Sequence, residues 1–355
     1  MTLSDVLARI EPIDPRAQQG AALRQERLTK PSGSLGRLEE LSLQLAGILR
    51  TERPTIRGRK VIVAAADHGV VAQGVTGYPQ EVTAQMVLNF LAGGAAINVM
   101  ARTAGVELMI VDAGVATPLP EHPDLRVVGV GRGTADMTQG PAMSRAQAEQ
   151  CVSAGINLAL EVAENGADII GAGEMGIGNT TASSAITAVL TGSPPRETTG
   201  RGTGRNEEEM EHKVAVIERA LEVNQPDPTD GLDVLAKVSG FEIGVLAGVV
   251  LGGALARRVV ALDGFVSTAA GLIAHSLCPH VSGYVIASHL SVEPGHRIAL
   301  RHMGLRPLLD LNMRLGEGTG AVLAMGLIEA AAACLTEMAT FAEAGVSGSA
   351  TGEAE

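Results

Sequence analysis

The sequence has 355 residues, of which 46% are hydrophobic and 19% charged, and its 27 basic and 39 acidic residues give a net charge of −12 at pH 7. This composition is typical of a soluble globular protein, and the length allows two or three domains. With four Phe, two Tyr and no Trp, and an acidic charge that repels a phosphate backbone, the chain lacks the features of a nucleic-acid-binding protein.

The cysteines and apolar segments indicate a cytoplasmic protein without a membrane span. Cys151, Cys278 and Cys334 are far apart and odd in number, which disfavours a disulfide framework or a CxxC metal site and fits a reducing compartment. The first 15 residues carry three acidic side chains and no apolar stretch of signal-peptide length. An uncharged apolar run at residues 243–256 is shorter than the ~18 to 20 residues of a membrane span and predicts a buried helix.

In chain order, the first fifty residues are predicted to be helical, since leucines recur every three to four residues from Leu35 to Leu49 and Ser34 is placed to cap the helix. From residue 60 onward, short apolar runs alternate with longer alanine-rich stretches, which is the pattern of alternating strands and helices. The runs are apolar on both faces, as in a parallel sheet covered by helices. A long helix over residues 321–342 and a disordered tail from Gly345 follow. The predicted strands are residues 61–66, 108–111, 127–130, 168–170, 259–262 and 284–287, with a weaker one at 308–311.

Polar residues follow these predicted strands. Because the carboxyl ends of parallel strands lie at one edge of a sheet, and ligands bind outside that edge, we expect the polar residues to line one crevice. Exposure to water explains any single one equally well, but seven strand ends together favour a site. The residues are Asp67-His68-Gly69, Asp112, Arg132, Glu174, Asp263-Gly264, Ser288-His289 and Glu317.

Two glycine-rich loops are candidates for binding a phosphate. Residues 171–176 match GxGxxG after a predicted strand, but Glu174 would stand inside the phosphate cradle, which argues against a dinucleotide. The continuation into an alanine-rich helix still places N–H groups and hydroxyls at a helix N-terminus, where a monophosphate is favoured. A loop that serves only packing remains the alternative. The candidates are Gly176, Gly178, Asn179 and Thr180, with Gly202 and Gly204 of the second loop and Lys213 of the next helix closing over the phosphate.

The histidines are weighed against metal binding. His289, Glu293 and His296 have a spacing that suggests a metal site, but Pro294 breaks any helix that would align them. We therefore predict no metal and no cofactor. The neighbours Asp67 and His68 form either an acid/base pair or a hydrogen-bonded strand end, and the sequence does not decide between them.

Glu317 is the candidate general base. It stands alone between glycines in the string LGEGTG, at a predicted strand-to-helix turn with apolar flanks. Burial there raises the pKa of a carboxyl toward the range of a general base. A surface turn residue is the alternative, and the crevice residues favour the base.

Seven groups of residues resemble, in the family's own order, the nicotinate-nucleotide:dimethylbenzimidazole phosphoribosyltransferases. The resemblance runs from about Leu28 to Val346. One departure is Thr76-Gly77, where the family commonly has Ser in a GVSxYP string, and it concerns the shape of the acceptor pocket. The matching strings are LTKPSGSLGRLE (28–39), ADHGV (66–70), YP with VT and QM (within 78–86), NF with GGAAIN (89–98), GEMGIGNTT (173–181), ASH with EPGH (287–296) and LGEGTG (315–320).

The resemblance implies a fold and a reaction. The fold would be a Rossmann-like parallel α/β domain over residues 56–320 with a smaller helical domain from residues 1–55 and 321–355, paired as a homodimer. The reaction would move the 5-phosphoribosyl group from nicotinate mononucleotide to 5,6-dimethylbenzimidazole, with inversion at the anomeric carbon, in assembly of the cobalamin lower ligand. Glu317 would take the proton from the benzimidazole, and Glu174 would stabilise positive charge on the ribose.

The acceptor pocket is predicted from its neighbours in the chain. Tyr78, Gln85 and Met86 follow the first strand end, and Leu315 is two residues from the proposed base; Met and Leu supply contact area to an apolar ring, and Gln a polar edge. Three alternatives stay open: a related enzyme with another acceptor, such as adenine or a phenol, a non-catalytic nucleotide-binding protein, and a dinucleotide oxidoreductase.

Overall fold

Six parallel strands form one sheet in the order β3-β2-β1-β4-β5-β6, in a computed structural model that describes residues 1–200 and 207–347. This is the strand order of the Rossmann fold, and it reverses between β1 and β4. The predicted parallel α/β architecture is therefore confirmed. The strands are β1 Arg59–Ala66, β2 Glu107–Gly114, β3 Leu125–Val127, β4 Ile169–Met175, β5 Val259–Leu262 and β6 Val285–Ala287.

Helices cover both faces of the sheet. A Cβ on Gly171 of β4 would lie 3.0 Å from Met325 Cε, and a Cβ on Gly253 would lie 4.0 Å from Cδ1 of the neighbouring Ile170. Ile170 and Gly171 are consecutive residues of β4, and successive residues of a strand point to opposite faces of the sheet. The helix that contains Met325 and the helix that contains Gly253 therefore lie on opposite sides of the sheet. The helices are α1 Leu3–Arg9, α2 Pro15–Gln25, α3 Arg37–Leu49, α4 Val82–Leu91, α5 Ala96–Ala104, α6 Arg145–Glu164, α7 Asn179–Thr191, α8 Pro195–Thr198, α9 Glu207–Asn224, α10 Gly231–Val238, α11 Phe241–Leu255, α12 Phe265–Leu277, α13 Pro294–His302, α14 Thr319–Glu337 and α15 Phe341–Ala344.

Most predicted elements are present, with shifted ends. The strand predicted at 127–130 lies at Leu125–Val127 instead, because Gly129 turns the chain with a φ of 71°. The prediction of a weaker strand at 308–311 is wrong, since Leu309 forms only an isolated parallel bridge with His289. The tail predicted to be disordered falls largely on residues 348–355, outside the described residues.

The first long helix starts later than predicted. Helix α3 begins at Arg37, its N-cap is Gly36, and no side chain caps it, so the predicted cap at Ser34 is wrong. Glu39, in the first turn, accepts hydrogen bonds from the Leu35 N–H at 3.0 Å and from Lys30 Nζ at 2.7 Å. This carboxylate ties the start of the helix to the preceding loop, which a capping pattern based on Ser does not detect.

The two chain ends pack together. The Arg24 guanidinium of α2 donates hydrogen bonds of 2.6 to 3.1 Å to the carbonyl oxygens of Leu335, Thr336 and Met338. Leu335 and Thr336 lie in the last turn of α14, where the final carbonyls have no partner within the helix. An antiparallel bridge also joins Leu28 to Thr340, where the predicted helix 321–342 is interrupted.

Two segments have the length and composition of membrane spans, residues 82–104 and 319–337. The first consists of two helices, α4 and α5, separated by a turn. The second is α14, which packs on β1, β4 and β5. Core helices of globular proteins pass the same test of length and composition, and 39% and 56% of the two segments is buried inside the protein.

Candidate active site

A cavity of about 360 Å³ lies at the carboxyl ends of β4, β5 and β6. It adjoins the point where the strand order reverses, which is where open parallel sheets bind ligands. The loop after β1 contributes to it as well. The lining residues are Val75, Thr76, Tyr78, Val82, Met86, Glu174, Met175, Gly176, Ile177, Gly178, Asn179, Thr180, Lys213, Gly264, Phe265, Val266, His289, Ser291, Glu293, Arg314, Leu315, Gly316 and Glu317.

Glu317 has a backbone conformation that side chains disfavour. Its φ is 63°, between Gly316 at 87° and Gly318 at 93°, and left-handed backbone costs a non-glycine residue roughly 1–2 kcal/mol. The residue is 5% exposed, and its carboxylate accepts a 3.2 Å hydrogen bond from the Ile97 N–H at the start of α5. Burial raises the pKa of Glu317, and the negative charge of Asp263 adds to the rise. A buried carboxylate with a raised pKa at a cavity wall is suited to accept a proton.

Glycines of β4 make room for the loop that carries Glu317. A Cβ on Gly173 would lie 2.5 Å from the Glu317 carbonyl oxygen, and a Cβ on Gly171 would lie 2.7 Å from Val61 Cγ2. The first two glycines of the GxGxxG match therefore serve close packing, which agrees with the argument against a dinucleotide-binding turn.

Glu174, at the end of β4, is buried near three other carboxyl groups. It is 8% exposed and accepts a short hydrogen bond from the Asn179 amide. Burial raises the pKa of Glu174 to about 8, and the charges of Asp263, Glu242 and Glu317 contribute. At neutral pH the side chain is therefore mostly protonated. A protonated carboxyl donates a hydrogen bond, whereas stabilising a positive charge on the ribose requires an anion.

The predicted phosphate residues meet at the start of α7. Gly178, with a φ of 95°, is the N-cap of the helix, and Lys213 of α9, only 2% exposed, donates a 2.8 Å hydrogen bond to Thr180 Oγ1. A helix N-terminus with a buried cation beside it suits a phosphate. Gly176, Gly178, Asn179, Thr180 and Lys213 all line the cavity. Gly202 and Gly204, the other two candidates, lie outside the described residues.

Three of the four predicted acceptor residues line the cavity: Tyr78, Met86 and Leu315. Tyr78 is 51% and Leu315 56% exposed, so they leave apolar surface open to a ligand. Gln85 is exposed and does not line the cavity. On helix α4, Val82 and Met86 lie four residues apart and share the face toward the cavity, which turns Gln85 away from it.

The predicted single crevice is divided, and that prediction is wrong. Glu174, His289 and Glu317 line the main cavity, but Asp112 and Arg132 line a separate cleft of about 460 Å³ beyond β2 and β3. The reason is the strand order, which places β2 and β3 on the far side of β1.

Asp67 and His68 line neither of these two cavities. Each is 1% exposed, and His68 Nε2 lies 2.6 Å from Glu242 Oε1 of α11. Asp67 accepts a 2.8 Å hydrogen bond from the Ala116 N–H. Of the two readings the sequence left open, the structure supports the hydrogen-bonded strand end.

Of the three candidate metal residues, His296 has both ring nitrogens engaged within the protein. His296 Nδ1 accepts a 3.0 Å hydrogen bond from the Ser291 N–H, and its Nε2 lies 3.0 Å from Thr268 Oγ1. Burial lowers the pKa of His296 to about 3, so its ring is neutral. Pro294 is the first residue of α13, so His296 lies on this helix and His289 precedes it, with the two ring centroids 6.2 Å apart. Within residues 1–200 and 207–347, no group of three or more His, Cys, Asp or Glu side chains is arranged to hold a metal ion.

Several lining residues were not predicted, among them Phe265, Ser291 and Arg314. Phe265 directly follows the strand end Asp263-Gly264 and was the easiest to find. The others lie on loops whose path depends on packing between distant segments, as when the Leu290 N–H donates to the Leu309 carbonyl at 2.7 Å. The sequence carries no local signal for such contacts.

Comparisons with known proteins identify a family, sequence relatives and similar solved structures. The model of a family described as phosphoribosyltransferase matches residues 10–346. A Roseiflexus sp. (strain RS-1) protein named nicotinate-nucleotide–dimethylbenzimidazole phosphoribosyltransferase is 58% identical over 346 residues, which is 98% of each chain. A protein of that name from Chloroflexus aggregans is 57% identical over 97% of this chain and 98% of its own. The crystal structure of the Thermus thermophilus enzyme of that name superposes with a TM-score of 0.90 at 48% identity, covering 95% of this chain and 100% of that one.

Proposed function

This chain belongs to the nicotinate-nucleotide–dimethylbenzimidazole phosphoribosyltransferase family, and we propose that it catalyses the family's reaction. It transfers the 5-phosphoribosyl group of nicotinate mononucleotide to 5,6-dimethylbenzimidazole. The products are α-ribazole 5′-phosphate, the nucleotide of the cobalamin lower ligand, and nicotinate.

The observation that carries the proposal is that one cavity is lined both by a buried carboxylate, Glu317, and by a buried cation, Lys213. Glu317 supplies the base, and Lys213 beside the α7 N-terminus supplies the phosphate site. Binding the phosphate of the donor at a fixed point orients the ribose, and orientation contributes much of the rate enhancement of a two-substrate reaction.

The chemistry needs one proton acceptor. One nitrogen of the benzimidazole forms a bond to the anomeric carbon from the face opposite the nicotinate, and the bond from that carbon to the pyridinium nitrogen breaks. The bonding electrons go to the nicotinate ring, which becomes neutral, so no general acid is required. The proton on the other benzimidazole nitrogen passes to Glu317. Glu174, protonated at neutral pH, donates a hydrogen bond toward the ribose.

The direct test is the dependence of nicotinate release on the acceptor. Purified protein is incubated with nicotinate mononucleotide alone and with 5,6-dimethylbenzimidazole, adenine or a phenol, and both products are separated by chromatography. We expect nicotinate and a new nucleotide in equal amounts with dimethylbenzimidazole and no nicotinate without an acceptor. Faster turnover with adenine or a phenol would assign another acceptor, and release without any acceptor would indicate a hydrolase.

We also propose the assembly that the family resemblance implies: a homodimer in the cytoplasm, each chain with a small helical domain from residues 1–55 and the C-terminal residues after 320. The Arg24 hydrogen bonds to the carbonyls of Leu335 and Thr336 support the joining of the chain ends. The three free cysteines are compatible with a reducing compartment. Apolar side chains exposed on α5 and α14 support the dimer. The dimer is tested below with Leu323→Glu, and the joined chain ends with Arg24→Ala.

A further inference from the structure

Three consecutive residues of left-handed backbone carry Glu317, and such a turn needs outside support. Gly316, Glu317 and Gly318 have φ values of 87°, 63° and 93°. The Glu317 N–H donates to the Glu174 carbonyl at 3.2 Å, which holds the turn from the side of β4. Strained turns persist only where their surroundings hold them.

The strongest hold comes from Asp263, at the end of β5. Its Oδ2 accepts a 3.0 Å hydrogen bond from the Gly318 N–H, and its Oδ1 accepts bonds of 2.6 Å from Gly320 and 3.2 Å from Ala321. The residue is 1% exposed. Asp263 thus caps α14 from another part of the chain, where no side chain of the helix's own N-cap does so. A carboxylate at a helix N-terminus is favourable.

We propose that Asp263 is a positioning residue for Glu317: its carboxylate fixes the 316–318 turn, and its charge keeps the neighbouring carboxylate strongly basic. This inference rests on the proposed function. Asp263 is not among the residues that line the cavity, so it acts through Glu317 and not on a substrate.

The electrostatic part follows from the groups around the turn. Glu174 on β4 and His289 after β6 are the other titratable groups beside Asp263, and His289 Nε2 lies 3.8 Å from Asp263 Oδ1. Burial lowers the pKa of His289, so the ring is neutral and does not offset the charge. Burial raises the pKa of Asp263, but its two oxygens accept three backbone N–H bonds, which favour the ionised form. The charge of this carboxylate raises the pKa of Glu317.

The test is Asp263→Asn, which keeps the size of the side chain but removes its charge and one acceptor. We expect turnover to fall about 10- to 100-fold, as for a misplaced catalytic group. Binding of nicotinate mononucleotide, measured by calorimetry, should change less than about twofold. Because a base works deprotonated, activity falls as the pH drops below the pKa of the base. This acid limb of the pH profile should move to lower pH once the charge of Asp263 is removed.

The matched control is Asp112→Asn. Asp112 also lies near the carboxyl end of a strand, β2, and accepts two backbone N–H bonds, from Gly114 and Val115, but it lines the other cleft. Its acid limb should match that of the wild type. In the Glu317→Gln background, Asp263→Asn should cause no further loss of turnover, because a residue that acts through Glu317 has nothing left to position.

Three results would overturn the inference. The first is an unshifted acid limb in Asp263→Asn, and the second is a further loss in the double variant. The third is loss of folding in both Asp263→Asn and Asp263→Ser while Asp112→Asn folds, which would assign Asp263 to stability. In each case the wild type remains active, whereas a wild type without acceptor-dependent nicotinate release would refute the proposed function itself and the positioning role with it.

Discussion

Glu317 and Glu174 are buried carboxyls of one cavity, yet their contacts differ. Glu317 accepts a hydrogen bond from a backbone N–H at the start of α5, which favours its ionised form. Glu174 accepts from a neutral amide and is surrounded by other carboxylates, which favours its protonated form. Neighbouring acids with different protonation states are how active sites assign separate roles to the same residue type.

Glu317→Gln removes the base but keeps the size of the side chain. We expect turnover to fall roughly 10²- to 10⁴-fold, the usual contribution of a general base. The affinity for nicotinate mononucleotide should stay near that of the wild type. A steady-state pH series is the measurement, and some activity should return at high pH, where solvent takes the proton. Near-normal turnover at neutral pH would exclude Glu317 as the base.

The Gln side chain in Glu174→Gln resembles the protonated form of Glu174. The substitution should therefore reduce activity only slightly at neutral pH. We expect a loss of less than about tenfold at pH 6 to 7. The pKa of Glu174 is raised to about 8, so its stabilising contribution is fully present below the unfolded pKa and is lost as the pH rises through about 8. The melting temperature of the variant, relative to the wild type, should therefore increase between pH 5 and 9. An inactive Glu174→Gln beside an active Glu317→Gln would transfer the role of base to Glu174.

The start of α7 and the buried end of Lys213 form one phosphate site in our proposal, and Lys213→Met separates them. Charge-assisted hydrogen bonds contribute roughly 1.5–3 kcal/mol, so the Michaelis constant for nicotinate mononucleotide should rise about 10- to 100-fold. The constant for dimethylbenzimidazole should change little. Lys237→Met, at a lysine paired with Asp233 on α10, is the control. Equal effects of Lys213→Met on both substrates would contradict this placement.

The joined chain ends predict a stability effect far from the cavity. Arg24→Ala leaves three carbonyls at the end of α14 without their donor, so we expect the free energy of unfolding to fall by about 2 kcal/mol. Arg126→Ala removes an exposed ion pair with Glu161, which contributes roughly 0–1 kcal/mol. Urea denaturation compares the two. A similar small effect of both changes would contradict the joined small domain.

The elements that could be predicted are those whose signal is local. Six strands could be predicted because each is a short apolar run, and α11 because residues 243–256 form an uncharged apolar run. Every residue from Phe241 to Ala254 is buried in the structure. The αL turn at Glu317 and its cap by Asp263 could not be predicted, since they join residues more than fifty positions apart. The GxGxxG match at residues 171–176 does not reveal that Gly173 makes room for the Glu317 backbone, because that contact also joins distant parts of the chain.

The division of the polar strand ends between two cavities is a property of the whole sheet. A list of strands in chain order does not reveal that β1 lies in the middle and that β2 and β3 extend to one side. The strand order alone therefore separates Asp112 and Arg132 from Glu174. The main cavity is formed by the ends of β4, β5 and β6, on the other side of β1, together with the loop after β1.

Two helices that pack together, α5 and α14, expose apolar side chains at the surface of the chain. Val99 is 50% and Leu323 39% exposed, and a Cβ on Gly326 would meet no atom within 4 Å. An apolar helix that is half exposed in water loses the stabilisation that burial gives, about 25 cal/mol per Å². A second copy of the chain is the occupant that the proposed homodimer supplies, with the same surface contributed by both partners.

Leu323→Glu places a charge in this surface and should separate the dimer. We expect light scattering to give twice the chain mass for the wild type and one chain mass for the variant at micromolar concentration, because an unpaired charge buried in an interface is strongly unfavourable. Val223→Glu is the control, since Val223 is 48% exposed on α9 and should leave the dimer intact. A monomeric wild type would refute the dimer. A dimer that persists in both Leu323→Glu and Val99→Glu would place the interface on another surface, and the exposed face of α14 would then need a different explanation.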